Sequence, residues 1–474
     1  MSRSLYKGWL VVVAVLLLAG AGWIQKALNR QRADPALDWT RVAPLENAPP
    51  MLAFTTVALG GFRGLIANAL WLRASDLQDE GKYFELVQLA DWITKLEPHF
   101  VQVWLFQAWN MSYNISVKFS DPGDRWRWVQ RGIELLRDQA LRYNPREALL
   151  YRELAWHFQH KMGQNLDDAH LYYKGAWAWE MTRALGSGRP DFNALLQPAT
   201  EEARQRVLNL REKYRLDPQM MKQVDDAWGG LDWRLPETQA IYWASVGLKE
   251  SRKKDLITLR RVIYQSMHVL VLRGRLLELP TNAPPRFGPD LTKVDRAQAA
   301  YEQMLTDDPE MREVIQRAHR NFLLDATWLL YSHNRQQQAD RMFRLLKEKY
   351  PNVVPAPWTA EDYALQRVAG DINTLSSDRI RALIEGLIGQ HFQNLVLDDD
   401  ERAAGLRVMA QNVWRFHDQK YGRQPRLALP PYADMERSVR DRLLDPQTGL
   451  APDYAARLRN RLGLPAPATA PPKP

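Results

Sequence analysis

The sequence predicts an all-α fold, an irregular solenoid of stacked helical hairpins behind an N-terminal transmembrane helix. Three observations predict it. An uncharged apolar run extends from Gly8 to Ile24, between Lys7 and Lys26. Beyond it, apolar residues recur at helical rather than alternating spacing. Glycines and prolines, such as Gly81 and Pro98, divide that pattern into paired segments. An apolar fraction of 46% supplies a substantial core, and 474 residues suit one large domain or several smaller ones.

The first element is read as a retained membrane anchor over 1–26. Trp9 and Trp23 stand where interfacial rings would sit. The run reaches about 25 Å, against a hydrocarbon core of about 30 Å. Ala19–Ala21 also has the small-residue spacing of a signal-peptide cleavage site, so a cleaved leader is the competing reading. The anchor implies a single-pass protein of a bacterial-type cell membrane, in contact with lipid through this helix. Arg3 and Lys7 favour a cytoplasmic N-terminus with the large domain exported, while Lys26, Arg30, Arg32 and Arg41 oppose it. Charged, proline-bearing residues 27–50 read as a linker. A second apolar stretch, Met51 to Leu72, carries Arg63 and the pair Gly60 and Gly61. Its end is read as the first buried helix of the folded part, with a second membrane pass as the alternative.

The hairpins follow. Ile66, Leu70, Ala74 and Leu77 share one helical face, and Leu86, Ala90, Ile93 and Leu96 share another. Gly81 relieves the turn between them, and Pro98 stops the second helix. Gly81, Tyr83, Ala90 and Pro98 occupy the turn-glycine, aromatic, small-residue and closing-proline positions of a repeat of about 34 residues, so this stretch resembles the tetratricopeptide repeat. Leu86 departs from that pattern, where a small residue is common. Trp104 and Ala108 begin a second unit, the stretch ISVKFSDPGDRWRW lengthens its connection, and Pro145 closes it; Tyr151 and Ala155 begin a third. A distant copy runs from Asn321 to Pro351, with Asn334 near its turn and Ala339, Phe343 and Leu346 in register. The resemblance covers about a quarter of the chain and implies a tetratricopeptide-like helical solenoid with a curved groove for a protein partner.

On this reading residues 51–180 form a first helical-repeat region, 181–318 an irregular helical region, 319–352 the late hairpin, 353–461 a C-terminal helical region and 462–474 a proline-rich extended tail. Within the irregular region Thr200 is expected to cap a helix and Pro236 to start one. Asp255 to Leu279 reads as a single long helix, and no substantial sheet is expected.

Chemistry is sparse. The absence of cysteine excludes disulfides and cysteine-bound metals. A net charge of +9 is spread among acidic residues, and no nucleic-acid-binding motif accompanies it, so no nucleic acid is expected as a partner. No cofactor is expected, and no phosphate loop or nucleophile elbow is present. His157 and His160, three positions apart, together with Asp167, Asp168 and His170, offer a nitrogen and oxygen ligand set, although the zincin pattern is missing. They support the alternative function, a membrane-associated helical enzyme dependent on metal; packing between helices explains them equally. Asp398, Asp399 and Asp400 read as the cap of a helix.

The function preferred on sequence is a noncatalytic membrane-tethered scaffold that binds a protein partner or organises a membrane assembly. Trp104, Trp109, Trp126, Trp128, Trp177 and Trp179 recur along the early hairpins. The expected contact site is Arg125, Trp126, Arg127 and Trp128, on a projection after Asn114. In the competing reading Trp126 and Trp128 seal adjacent hairpins.

Overall fold

Helix covers 76% of the protein in a computed structural model, which meets the all-α expectation. The structure describes residues 3–32, 63–186, 189–252, 256–281, 283–369, 377–424 and 427–465. The chain divides into two units, one of residues 1–119 with 127–150 and one of 120–126 with 151–474. The expected first region, 51–180, therefore falls across both.

Helix α1 (Arg3–Arg32) forms, but the expectation of an N-terminal transmembrane helix is overturned. Among the described residues no helix is long and apolar enough to cross a membrane. The uncharged part of α1 is about 5 Å shorter than a hydrocarbon core, and Ala14, Ala19, Gly20, Ala21 and Gly22 add little apolar surface to it. Trp9, Leu17 and Trp23 on this helix are exposed. The helix continues into the expected linker as far as Arg32. Residues 33–50 of the linker, 51–62 of the second apolar stretch and 466–474 of the tail lie outside the described residues.

In the first unit α2 (Arg63–Asp79) and α3 (Tyr83–Leu96) form the expected hairpin. Gly81 turns it at φ 71°, a conformation that costs glycine little. Ala74, Leu77, Leu86, Ala90 and Ile93 close a core between the two helices, and Val103 joins it from α4 (Val101–Trp109). The Trp104 indole donates to the Pro98 carbonyl at 2.9 Å, tying the start of the next hairpin to the proline that ends the first. A π-helical turn, Asn110–Ile115, follows α4. The connection after Asn114 is shorter than expected. It holds a single 3-10 turn, Ser116–Lys118, before α5 (Pro122–Glu134) begins. Asp121 accepts from the Asp124 N–H at 2.9 Å, so Pro122 and Gly123 open a helix instead of forming a projecting loop.

In the second unit α6 (Ala148–Trp156), which begins in the first, runs into the π-helical turn His157–Met162 and then α7 (His170–Leu185). Helices α8 (Glu201–Glu212), α9 (Pro218–Trp228), α10 (Pro236–Glu250) and α11 (Ile257–Arg273) follow. Thr200 caps α8 through the Ala203 N–H at 3.2 Å, and Pro236 opens α10, both as expected. The single helix read over Asp255 to Leu279 is corrected. It ends at Arg273, and β1 (Arg275–Glu278) pairs antiparallel with β2 (Arg286–Gly288). A Cβ on Gly274 would lie 2.3 Å from the Leu270 carbonyl oxygen, so a bare backbone is needed where the helix stops. Pro280, Pro284 and Pro285 downstream cannot sustain a helical ladder.

The remaining helices are α12 (Val294–Asp307), α13 (Arg312–Ser332), α14 (Gln336–Lys349), α15 (Ala360–Ala369), α16 (Ser377–Val396), α17 (Asp400–Tyr421), α18 (Tyr432–Leu443) and α19 (Pro452–Arg461). The late hairpin is α13 and α14. Asn334 turns it at φ 60°, and Ala339 is fully buried at the crossing. Asp399 caps α17, its carboxylate accepting from the Arg402 N–H at 3.4 Å.

Two buried imidazoles in this unit predict its acid response. His319 accepts or donates at 3.0 Å with the Tyr350 hydroxyl and stacks on Tyr301, while His333 Nδ1 donates to the Leu329 carbonyl at 2.7 Å. Burial lowers each from 6.5 to about 4, and the Arg402 charge adds to the effect at His333. Between pH 6.5 and about 4 the unfolded chain binds protons at these positions that the folded chain refuses. Stability is therefore full above that window and falls as pH is lowered through it. Urea midpoints at pH 7, 5.5 and 4.5 are expected to decline in that order, and a smaller slope is expected for His319→Gln combined with His333→Gln. An unchanged slope in the double variant would assign the decline to other groups.

A candidate partner-binding surface

The four residues expected to contact a partner are divided between the two units. Arg125 and Trp126 belong to the second unit and are buried there. The Arg125 guanidinium donates to Asp167 Oδ1 at 2.6 Å and lies 2.8 Å from Asp168 Oδ1. Lys161 Nζ donates to Asp167 Oδ2 at 2.5 Å, the Ala169 N–H to Oδ1 at 2.9 Å and the Tyr173 hydroxyl to Oδ2 at 3.2 Å. Trp126 stacks on Tyr173 with ring centres 5.9 Å apart. These two residues are internal struts, and their place in the expected contact site is corrected. Helical phase explains it, since one turn of α5 carries both inward and outward positions. Arg127 and Trp128 fall in the first unit, Arg127 exposed and Trp128 half-buried.

The His and Asp ligand set does not converge either. His157 is fully buried with Nδ1 at 2.9 Å from the Glu153 carbonyl, and His160 stacks on Trp156 at 4.3 Å. His170 Nδ1 accepts from Lys174 Nζ at 2.9 Å. Burial, reinforced by Arg273, lowers Lys174 to about 8. Asp168 points outward, with 85% of its side chain exposed. Burial alone would raise the Asp167 carboxyl. Hydrogen bonds from Lys161 and Ala169 and the charges of Lys161 and Arg125 outweigh it and hold the group below its usual range. A carboxylate already between two protein cations is a poor cation ligand, and among the described residues no three His, Asp or Glu side chains gather to hold a metal.

The first unit presents a different surface. In α3 the buried stripe of Leu86, Ala90 and Ile93 leaves Phe84 on the opposite face, 56% exposed. Phe119 leaves the 3-10 turn in extended backbone and reaches the same place. Trp128 arrives from α5, one position before the buried Val129. The three rings form a triangle, with centres 6.4 Å apart for Phe84 and Phe119, 5.7 Å for Phe84 and Trp128, and 6.4 Å for Phe119 and Trp128. The Arg131 guanidinium lies over Trp128 at 4.7 Å and Lys118 Nζ over Tyr83 at 5.4 Å. Val117 beside Lys118 is 48% exposed. Rings of this kind, with a cation over Trp128 and another over the neighbouring Tyr83, offer apolar contact area and charge close together.

The sequence reading singled out Trp128 and named neither Phe84 nor Phe119. Phe84 was detectable as the aromatic out of phase with the apolar stripe of α3. Phe119 had no such signal, because its neighbours follow no helical period. Of the recurring tryptophans, Trp104, Trp126 and Trp177 are buried as core spacers, whereas Trp109 is 40% exposed against Tyr113. No protein-family model matches this chain, and no curated protein matches it.

Proposed function

We propose that the chain is a noncatalytic helical scaffold that holds a protein partner on the aromatic surface of its first unit. The observation that supports this reading is the triangle of Phe84, Phe119 and Trp128 with Lys118 and Arg131 at its border. Phe84 is exposed and Phe119 and Trp128 are half-buried, and an aromatic cluster that reaches the surface with arginine beside it has the composition of an interface hot spot. The partner that fits offers an apolar anchor for the rings and carboxylates for the two cations. A net charge of +9 favours the approach of such an acidic surface.

Photo-crosslinking from position 84 in the full chain, in the cells that make it, identifies the protein held there. Trp128→Ala is then expected to weaken that complex by about 2 kcal/mol, roughly 30-fold, with helical content unchanged. Undiminished capture by Trp128→Ala and by Phe84→Ala would reject this surface as the docking site.

A further inference from the structure

The hairpin of β1 and β2 uses one edge of β1. Arg275 pairs with Gly288, Leu276 with Phe287 and Glu278 with Arg286. Among the described residues the other edge makes no backbone hydrogen bond. A cavity of about 440 Å³ is lined by Gly274 to Leu277 and by no residue of β2, so it adjoins β1 where β2 does not cover it. This volume is in the range of ligand sites, about 300 to 1,000 Å³. A lone two-stranded ribbon is marginal in water, and its unpaired edge is a template for another strand.

The walls bear on what occupies the cavity. Gly230, Leu231 and Asp232 line it, and this segment is held from behind. The fully buried Asp225 carboxylate accepts from the Leu231 N–H at 2.7 Å and from the Trp233 indole at 3.2 Å, while Lys293 Nζ donates to the Gly229 and Gly230 carbonyls. The wall is thus formed in advance of any ligand, which reduces the cost of ordering it on binding.

Each charged lining residue already has a counter-ion. Arg189 donates to Asp225 at 2.8 Å, and Asp232 pairs with Arg234 at 2.6 Å. Asp290 lies 3.7 Å from Lys293, Arg275 lies 3.7 Å from Asp399, and Asp398 lies 3.6 Å from Arg461. Every lining charge thus has an opposite charge within 4 Å, although Arg461 is shared with Asp400. Among the described residues the backbone groups on the open edge of β1 are without partners, and Leu276, Leu277 and Leu397 line the cavity with them.

We propose that the open edge of β1 docks an extended, uncharged peptide segment of a partner protein, which adds a third strand to the hairpin and fills this cavity. Backbone pairing supplies the affinity, and the leucines receive alternate side chains. Four residues of β1 match a peptide core of about 13 Å. The site lies in the second unit and stands independently of the aromatic surface.

Random heptapeptides displayed on phage and selected against the full chain provide the probe. The chain has no cysteine, so Arg275→Cys carries a single environment-sensitive fluorophore at the rim. Selected peptides poor in charged residues are expected to change its emission with micromolar affinity. Because strand pairing uses alternate residues, N-methylation of the peptide in one register should weaken binding at least tenfold and in the other should leave it unchanged. Trp128→Ala should have no effect on this binding. Loss in both registers or in neither, binding that survives Leu276→Pro, binding that follows Trp128, or a library without binders would each overturn the proposal. The methylation test alters only the peptide, so it stays decisive if Leu276→Pro disturbs the hairpin.

Discussion

Asp167→Ala is expected to destabilise the second unit by about 3 to 5 kcal/mol, because it leaves the buried Lys161 ammonium without its carboxylate and takes from Arg125 one of its two. The side chains of Arg125 and Lys161 are 10% and 3% exposed, and both donate to this carboxylate at 2.6 and 2.5 Å. Lys161, over the Tyr173 ring at 5.9 Å, cannot turn to water without opening the packing there. Asp168→Ala provides the contrast. That carboxylate also pairs with Arg125, at 2.8 Å, but stands in water, and its loss should cost no more than about 1 kcal/mol. Urea unfolding of the two variants decides the matter, and equal midpoints would show that the buried pairs contribute nothing specific. The Asp167 carboxyl sits below its ordinary value of 3.8, so its stabilisation is complete above that pH and is lost as pH falls below it.

Gly405→Ala should have the next largest effect. A Cβ at this position of α17 would lie 2.1 Å from the Ser332 carbonyl oxygen, 2.3 Å from its carbon and 2.7 Å from the His333 nitrogen. All three atoms are backbone at the end of α13, so no rotamer relieves the clash. Arg402 on α17 also donates to the Ser332 hydroxyl, and separating the helices strains that bond. The cost is expected at about 1 to 3 kcal/mol or somewhat above it. Gly386→Ala tests the same substitution in α16, where a Cβ meets nothing within 4 Å. There the lower entropy of the unfolded chain should stabilise by roughly 0.5 to 1 kcal/mol. Thermal unfolding should move in opposite directions for the two variants, and a destabilised Gly386→Ala would undermine the packing argument.

Gly405 also shows where local reading stops. Within its own helix it resembles any glycine that weakens a helix, and its need for a bare backbone comes from Ser332, far away in sequence. Arg125 and Trp126 are a second case. Their type and their position after a Pro-Gly pair suit a contact loop, yet Asp121 caps a helix that turns them toward Asp167 and Tyr173. Trp128, two positions beyond Trp126, takes the outward phase. The residue types were legible in the sequence, while which of them face inward was not.

By itself the sequence determined the local grammar of this protein. Gly81 and Asn334 mark turns, Thr200 and Pro236 begin helices, and the stripe of Leu86, Ala90, Ile93 and Leu96 is buried. These features depend on backbone conformation and on the periodicity of neighbouring residues, which a short window contains. The apolar run of α1 also lay in such a window, but a run shorter than a hydrocarbon core did not make a spanning helix. Only the tertiary structure decided that Arg125 serves Asp167, that Phe84, Phe119 and Trp128 meet in one cluster, and that β1 and Gly230 to Asp232 line one cavity. Each of these joins segments distant in sequence, and whether a side chain is buried, paired or exposed depends on what the rest of the chain brings against it.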